Sequence, residues 1–159
     1  MYIFGGMGGN NLRSFHECAL RFADRQPDEE GLLYQWDIVK GEPPQKRDSH
    51  TCVHVSTPTA DTHPSKIGDS LILFGGSSND KSFQDLHRFD LRTQRWMQLN
   101  PCGELPSPRE GHTAKMIGKD KMMVHGGVDQ SETSFADTYV LTGINSYIDK
   151  DQIMSEEAA

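Results

Sequence analysis

Short apolar runs recur along the chain, and three of them stop in the same way. Tyr2 to Phe4, Leu71 to Phe74 and Met122 to Val124 each run towards a glycine doublet, Gly5-Gly6, Gly75-Gly76 or Gly126-Gly127. Seven to nine residues after each doublet comes a phenylalanine (Phe15, Phe83, Phe135), and two residues further on an acid (Glu17, Asp85, Asp137). A strand that ends in two glycines, where the backbone can take positive φ and approach a neighbour closely, is predicted at each place. Its repetition marks a supersecondary unit copied along the chain.

A second pattern lies between the doublets. Trp36 is followed by Gly41-Glu42-Pro43-Pro44-Gln45-Lys46-Arg47-Asp48-Ser49-His50-Thr51, and Trp96 by Gly103-Glu104-Leu105-Pro106-Ser107-Pro108-Arg109-Glu110-Gly111-His112-Thr113. The prolines exclude central ladder positions and mark connections, whereas Thr51 to Val55 and Thr113 to Ile117 are apolar and β-branched enough to start new strands. One unit thus reads Arg-x-x-His-Thr, strand, strand ending Gly-Gly, polar loop with Phe, strand, turn, strand carrying Trp.

This order resembles the kelch repeat, one four-stranded blade of a β-propeller, over roughly Tyr2 to Ile148. The resemblance implies an all-β fold, an incomplete kelch propeller of four-stranded antiparallel blades, with blade remnants at 1–40, 47–100 and 109–148 and a polar, acidic tail at 149–159. Its repeat motif falls on Gly5, Gly6, Trp36, Arg47, His50, Gly75, Gly76, Trp96, Arg109, His112, Gly126 and Gly127. His87 and Ala19 stand where the family usually has tyrosine, which the last copy keeps as Tyr139. That copy has no tryptophan, and the first lacks its opening Arg-x-Gly-His strand. About two and a half units fall short of the roughly 4 to 8 blades of a closed propeller. Either further blades or self-association is then needed to cover the open edges.

The unit length locates the insertions. Gly75 follows Gly5 by 70 residues and Gly126 follows Gly75 by 51, against about 50 for a kelch unit. The surplus falls in Asp24 to Gly31 and in Ser56 to Lys66, a polar, proline-bearing loop that contains Asp61 and His63. Loops on a repeat array carry specific contacts, which makes Asp61 and His63 candidate partner-binding residues. Arg47 and Arg109 read two ways: each reaches an acidic or carbonyl partner inside its blade, or each serves as a ligand for acidic peptides, a use the family also makes of arginines on its loop face. Trp36 and Trp96 read as packing anchors between neighbouring blades. His125, which replaces the phenylalanine of the other two copies, reads as a partly buried strand residue.

Composition narrows the function classes. A formal net charge of −7 argues against a broad nucleic-acid surface, because phosphate neutralisation needs clustered Lys and Arg, and basic partners are electrostatically easier. No apolar stretch approaches the ~20 residues of a membrane span, and no basic-then-apolar segment opens the chain. Cys18, Cys52 and Cys102 are odd in number and lack a C-x-x-C, which favours reduced thiols and a cytoplasmic location.

Catalytic signals are absent from this reading. His50 and His54 lie four apart, but no third ligand is fixed to them by spacing, and His50 aligns with His112 as a repeated His-Thr element. Gly5-Gly6-Met7-Gly8-Gly9 lacks the ending of a phosphate-binding loop. No catalytic residue, metal site or cofactor is assigned. The resemblance implies a scaffold or adaptor that binds other proteins through its blade loops, in ubiquitin-ligase substrate recognition or in cytoskeletal and cell-polarity organisation. An enzymatic kelch protein of the oxidase, epimerase or iron-dependent specifier type is the alternative.

Overall fold

The computed structural model describes residues 2–7, 15–22, 32–39, 42–56 and 69–144, with β2 and β3 as backbone. Twelve strands occur among them: β1 (Tyr2–Phe4), β2 (Phe15–Phe22), β3 (Leu32–Ile38), β4 (Thr51–Val55), β5 (Ser70–Phe74), β6 (Ser77–Ser78), β7 (Lys81–Ser82), β8 (Leu86–Asp90), β9 (Arg95–Leu99), β10 (Thr113–Met116), β11 (Lys121–His125) and β12 (Thr138–Thr142). They form three antiparallel meanders, β1-β2-β3, β4-β5-β8-β9 and β10-β11-β12, with a two-stranded ribbon β6-β7 between β5 and β8. The fold is an incomplete propeller whose middle blade has all four strands. The apolar runs that end in doublets are β1, β5 and β11.

Two apolar layers join the blades, and β5 feeds both. Leu71 and Leu73 point into one layer, where Leu73, Phe4 and Phe89 are buried and Tyr2, Val39, Leu91 and Trp96 pack around them. Ile72 and Phe74 point into the other, with Val55, Leu86, Leu99, Met122, Val124 and Ile144. Because side chains alternate between the faces of a strand, a strand covered on both sides reads as a continuous apolar run, as Leu71-Ile72-Leu73-Phe74 does. Among the described residues strand β11 is covered on one side only: Met122 and Val124 are buried, while Lys121 and His125 are exposed. The expectation that His125 is partly buried is therefore corrected. Its ring lies in solvent and its Nδ1 hydrogen bonds with the Thr138 hydroxyl at 2.9 Å, because no described element covers that face.

The turns follow from short polar side chains. Between β8 and β9, the Asp90 carboxylate accepts from the Arg92 and Thr93 amides at 2.9 and 2.8 Å, which frees the chain to reverse at Gln94 with φ 55°. Asp129 does the same for Ser131 and Thr133 at 2.8 and 2.9 Å, with Glu132 at φ 60°. In both, a side-chain carboxylate stands in for a backbone carbonyl and stabilises a left-handed residue.

Candidate functional site

The segments that carry Arg47 and Arg109 run between blades and bind on both sides. The Gly76 amide donates to the Arg109 carbonyl at 2.9 Å and the Arg109 amide donates to the Phe83 carbonyl at 3.0 Å, both within reach of the middle blade. The Arg109 side chain crosses to the third blade, donating to the Gly126 carbonyl at 2.9 Å and to both Asp137 oxygens at 2.5 and 3.1 Å. Arg47 repeats this one blade earlier. Its carbonyl accepts from the Gly6 amide at 3.0 Å, and its guanidinium donates to the Gly75 carbonyl at 2.9 Å and to both Asp85 oxygens at 2.5 and 2.8 Å. Each arginine thus stitches one blade to the next.

The cation is also covered. The Arg47 guanidinium lies 4.0 Å from the centre of the Phe83 ring, and that of Arg109 lies 4.3 Å from Phe135. This gives the recurring phenylalanine its use, since a ring face attracts a guanidinium while excluding water from the ion pair. Their remaining Nε donors go to the Gln45 and Ser107 carbonyls, each at 3.0 Å. A bidentate carboxylate, a carbonyl and a ring match the planar fork of arginine, and a lysine would satisfy few of these partners.

The glycine doublets make room for the stitch. A side chain on Gly75, at φ 63°, would put Cβ 2.8 Å from the Arg109 carbonyl oxygen, and one on Gly76, at φ 90°, would lie 2.5 Å from the Asp48 carbonyl oxygen. Both the backbone conformation and the space therefore demand glycine.

The two repeated histidines belong to the same joint. His50 meets the Phe4 ring edge-on at 5.4 Å, and His112 meets Phe74 at 5.2 Å. The Nε2 of His112 hydrogen bonds with the Thr51 hydroxyl of the preceding blade at 2.8 Å. Burial, and secondarily the charge of Arg47, lowers the His50 pKa to about 4. Burial and then Arg109 lower that of His112 to about 4 as well. Both rings are therefore neutral at physiological pH. Asp85 is drawn in opposite directions: burial pushes its carboxyl up, but hydrogen bonds from Arg47 and His87, with their charges, hold it well below the usual carboxylate range. His87, in the tyrosine position, donates from Nε2 to the Asp85 carboxylate at 2.8 Å.

The predicted site residues can now be placed. Arg47 and Arg109 are 0% exposed, with their donors turned inward, so neither guanidinium offers a surface to a partner. Trp96 lies between the first two blades, with ring centres 5.1 Å from Phe89 and 5.6 Å from Phe4. Trp36 lies in β3 opposite Cys18, and its side chain is outside the described residues. Asp61, His63, both insertion loops and the tail at 149–159 are also outside them. Cys52 and Cys102 are free thiols. Among the described residues no group of three or more His, Cys, Asp and Glu side chains is placed to hold a metal ion, and no helix is long and apolar enough to cross a membrane.

The structure also presents a ledge that sequence reasoning missed. The β6-β7 ribbon bridges to Asp48 through a pair of backbone hydrogen bonds at 2.9 and 3.0 Å between Asp48 and Ser77. The Ser77 hydroxyl donates to the Glu110 carboxylate, and Gln130 Nε2 donates to the Ser78 carbonyl at 2.8 Å. The ribbon tip, Asn79 to Lys81, and the turn from Gln130 to Ser134 stay exposed beside these anchors. Polar loop composition was the signal available, but it does not reveal which loops meet.

A repeated antiparallel blade, closed by a doublet and stitched by a buried arginine, defines a propeller-repeat protein. The chain matches the model of the KLHDC2/KLHL20/DRC7 Kelch-repeats domain over residues 1–146; it belongs to the kelch-repeat family. It is 30% identical over 144 residues to the Rab9 effector protein with kelch motifs of Danio rerio, covering 89% of this chain and 36% of that protein. It is 29% identical over 117 residues to Kelch domain-containing protein 2 of Bos taurus, covering 72% and 26%. To acyl-CoA-binding domain-containing protein 5 of Arabidopsis thaliana it is 35% identical over 101 residues, covering 62% and 14%. The chain spans between 14% and 36% of the length of these relatives.

Proposed function

We propose that the chain is a scaffold or adaptor module that binds other proteins through the loops at its blade ends. Kelch relatives such as a Rab9 effector support a protein-interaction role. The observation that carries the reading for this chain is the division of labour in its polar residues. The repeated Arg, Asp, His and Gly-Gly positions are used inside and between blades, whereas the ribbon tip and the 130–134 turn meet as neighbouring exposed polar loops. Asp80 and Glu132 outnumber Lys81 there, in keeping with the net charge of −7. Such a surface selects basic partner segments and speeds their encounter. Binding rather than catalysis, in the cytoplasm, with partners drawn from ubiquitin-ligase substrates or from cytoskeletal and polarity proteins, completes the proposal. Asp61 and His63 extend the candidate surface.

The test is capture of partners from lysate by the full chain and by the double variant Asp80→Lys/Glu132→Lys, with quantification by mass spectrometry. The proposal predicts that specifically captured proteins fall at least about tenfold with charge reversal and are weakened by salt. Unchanged capture by a folded variant contradicts it.

A further inference from the structure

The loop from Gly75 to Phe83 leaves the middle blade and returns to it, and the Phe83 amide closes its base on the Gly76 carbonyl at 2.8 Å. Two interblade segments pass this loop, one through Arg47 and Asp48 and the other through Arg109 and Glu110. Groups along the loop turn to each of them by turns. The Gly75 carbonyl accepts from Arg47 at 2.9 Å, and the Gly76 amide donates to the Arg109 carbonyl at 2.9 Å. The Ser77 backbone pairs with Asp48 at 2.9 and 3.0 Å, while its hydroxyl donates to the Glu110 carboxylate. At the far end the Phe83 ring lies 4.0 Å from the Arg47 guanidinium, and the Phe83 carbonyl accepts from the Arg109 amide at 3.0 Å.

Two side-chain bonds carry the connection on into the third blade. The first, from Ser77 to Glu110, continues through a pair of backbone hydrogen bonds between Glu110 and Val128, each at 2.9 Å, and a bridge from Val128 to Ser134. The second runs back from Gln130 to the Ser78 carbonyl at 2.8 Å. The turn that carries Gln130 is braced within itself, because Asp129 accepts from the Ser131 and Thr133 amides and the Phe135 amide closes on the Gly127 carbonyl at 2.8 Å. Ser77 and Ser78 are each 6% exposed, which shields their bonds from competing water, whereas Asn79, Asp80 and Lys81 at the tip are exposed. Met7 and Val128 stand at the place of Ser77 after their own doublets and have no hydroxyl. The tie from Ser77 to Glu110 is thus particular to the middle loop and is absent from the general repeat pattern.

We propose that the loop from Gly75 to Phe83 is a conformational coupler, through which the exposed ribbon tip and the 129–134 turn of the next blade open and order together. Lifting the ribbon cannot free one segment alone: Ser77 releases Asp48 and Glu110 in the same event, and Ser78 releases Gln130. Groups within one hydrogen-bond network are coupled in energy, whereas separated sites act independently. A partner that holds the tip therefore orders the turn as well, and the two loops answer as one surface. The coupling rests on the hydrogen bonds of the joints alone, so it is independent of the class of partner proposed above.

Hydrogen exchange on the full chain tests this by loosening the tip and reading the turn. Asp80→Gly removes the acceptor of the Ser78 hydroxyl and adds backbone freedom at the tip. Coupling predicts that exchange of the Val128 amide, which donates to the Glu110 carbonyl, quickens by at least about threefold while that of the buried Leu73 in β5 is unchanged. In the background Ser77→Ala/Gln130→Ala, which cuts both side-chain ties and keeps the backbone pairs, Asp80→Gly should alter Val128 exchange by less than about 1.5-fold. An unchanged Val128 rate in the wild-type background, an equal rise in both backgrounds, or a rise at Leu73 in step with Val128 overturns the proposal. If the double substitution does not fold, Gln130→Ala alone, at an exposed position, serves as the background, and a rise there undiminished from the wild type overturns it equally.

Discussion

Replacing Asp85 by Asn probes the arginine stitch where it is most buried. The substitution keeps the shape of the side chain but removes one full charge and one of the two acceptors that face Arg47. The Arg47 side chain is 0% exposed and that of Asp85 24%, so the guanidinium cannot turn to water to recover its loss. Breaking a buried pair by removing one partner costs about 3 to 5 kcal/mol. The surviving Gly75 carbonyl at 2.9 Å and the Phe83 ring at 4.0 Å place the expectation near the lower figure. Asp137 is the internal control. Its side chain is 40% exposed, and Asp137→Asn should cost less than Asp85→Asn because water screens that carboxylate and can reach the vacated position. Urea unfolding followed by tryptophan fluorescence measures both. Replacement of both partners, Arg47→Met with Asp85→Leu, should recover much of the loss, since the unpaired charge and not the missing attraction dominates the penalty. If Asp85→Asn changes stability by no more than Asp137→Asn, the buried stitch is not what joins these blades.

Gly76→Val should destabilise by more than ~1 kcal/mol, because φ is 90° and the new Cβ would meet the Asp48 carbonyl oxygen at 2.5 Å; an unchanged melting curve contradicts this. Trp96→Ala should cost about 3 kcal/mol, the low end for a large aromatic, because Trp96 is only half-buried against Phe4 and Phe89; free-tryptophan-like emission in the folded wild type would refute the packing. Stability should also fall between pH 6.5 and pH 4. His50 and His112 have folded pKa values of about 4, below the ordinary histidine value of 6.5, so the unfolded chain takes up their protons first. At pH 5 the loss is about 2 kcal/mol for each ring. Asp85, also depressed, adds its own loss at more acidic pH. A flat pH profile from 7 to 4.5 in chemical denaturation, or one unaffected by His112→Gln, would contradict the assignment.

Strand positions were legible because they follow from apolar runs bounded by glycine and proline, and β1, β4, β5, β10 and β11 lie where those runs are. The recurring phenylalanine and acid were visible as a spacing, and an acidic or carbonyl partner inside the blade was expected for Arg47 and Arg109, but which acid and carbonyl was not legible. Arg47 and Asp85 are 38 residues apart, and only the stacking of sheets brings one side chain to the other. The β6-β7 ribbon escaped notice because strands of two residues have no periodicity to read. His125 was misjudged for a different reason: alignment with Phe4 and Phe74 carries over the chemistry of a strand face that a neighbouring blade covers, whereas no described residue covers His125. What an aligned position touches depends on the next sheet, which a single repeat does not encode.

Native-state hydrogen exchange tests most directly whether the repeat motif is framework and the loops are the available surface. The Gly76, Arg109, Glu110, Gly126 and Val128 amides donate to carbonyls at 2.9 to 3.2 Å in the joints of the middle and third blades. They are predicted to exchange slowly and together, since each is freed only when the joint opens as a unit. Asn79 to Lys81, at the ribbon tip, should exchange far faster. Joint amides that exchange as fast as the ribbon tip would contradict the account.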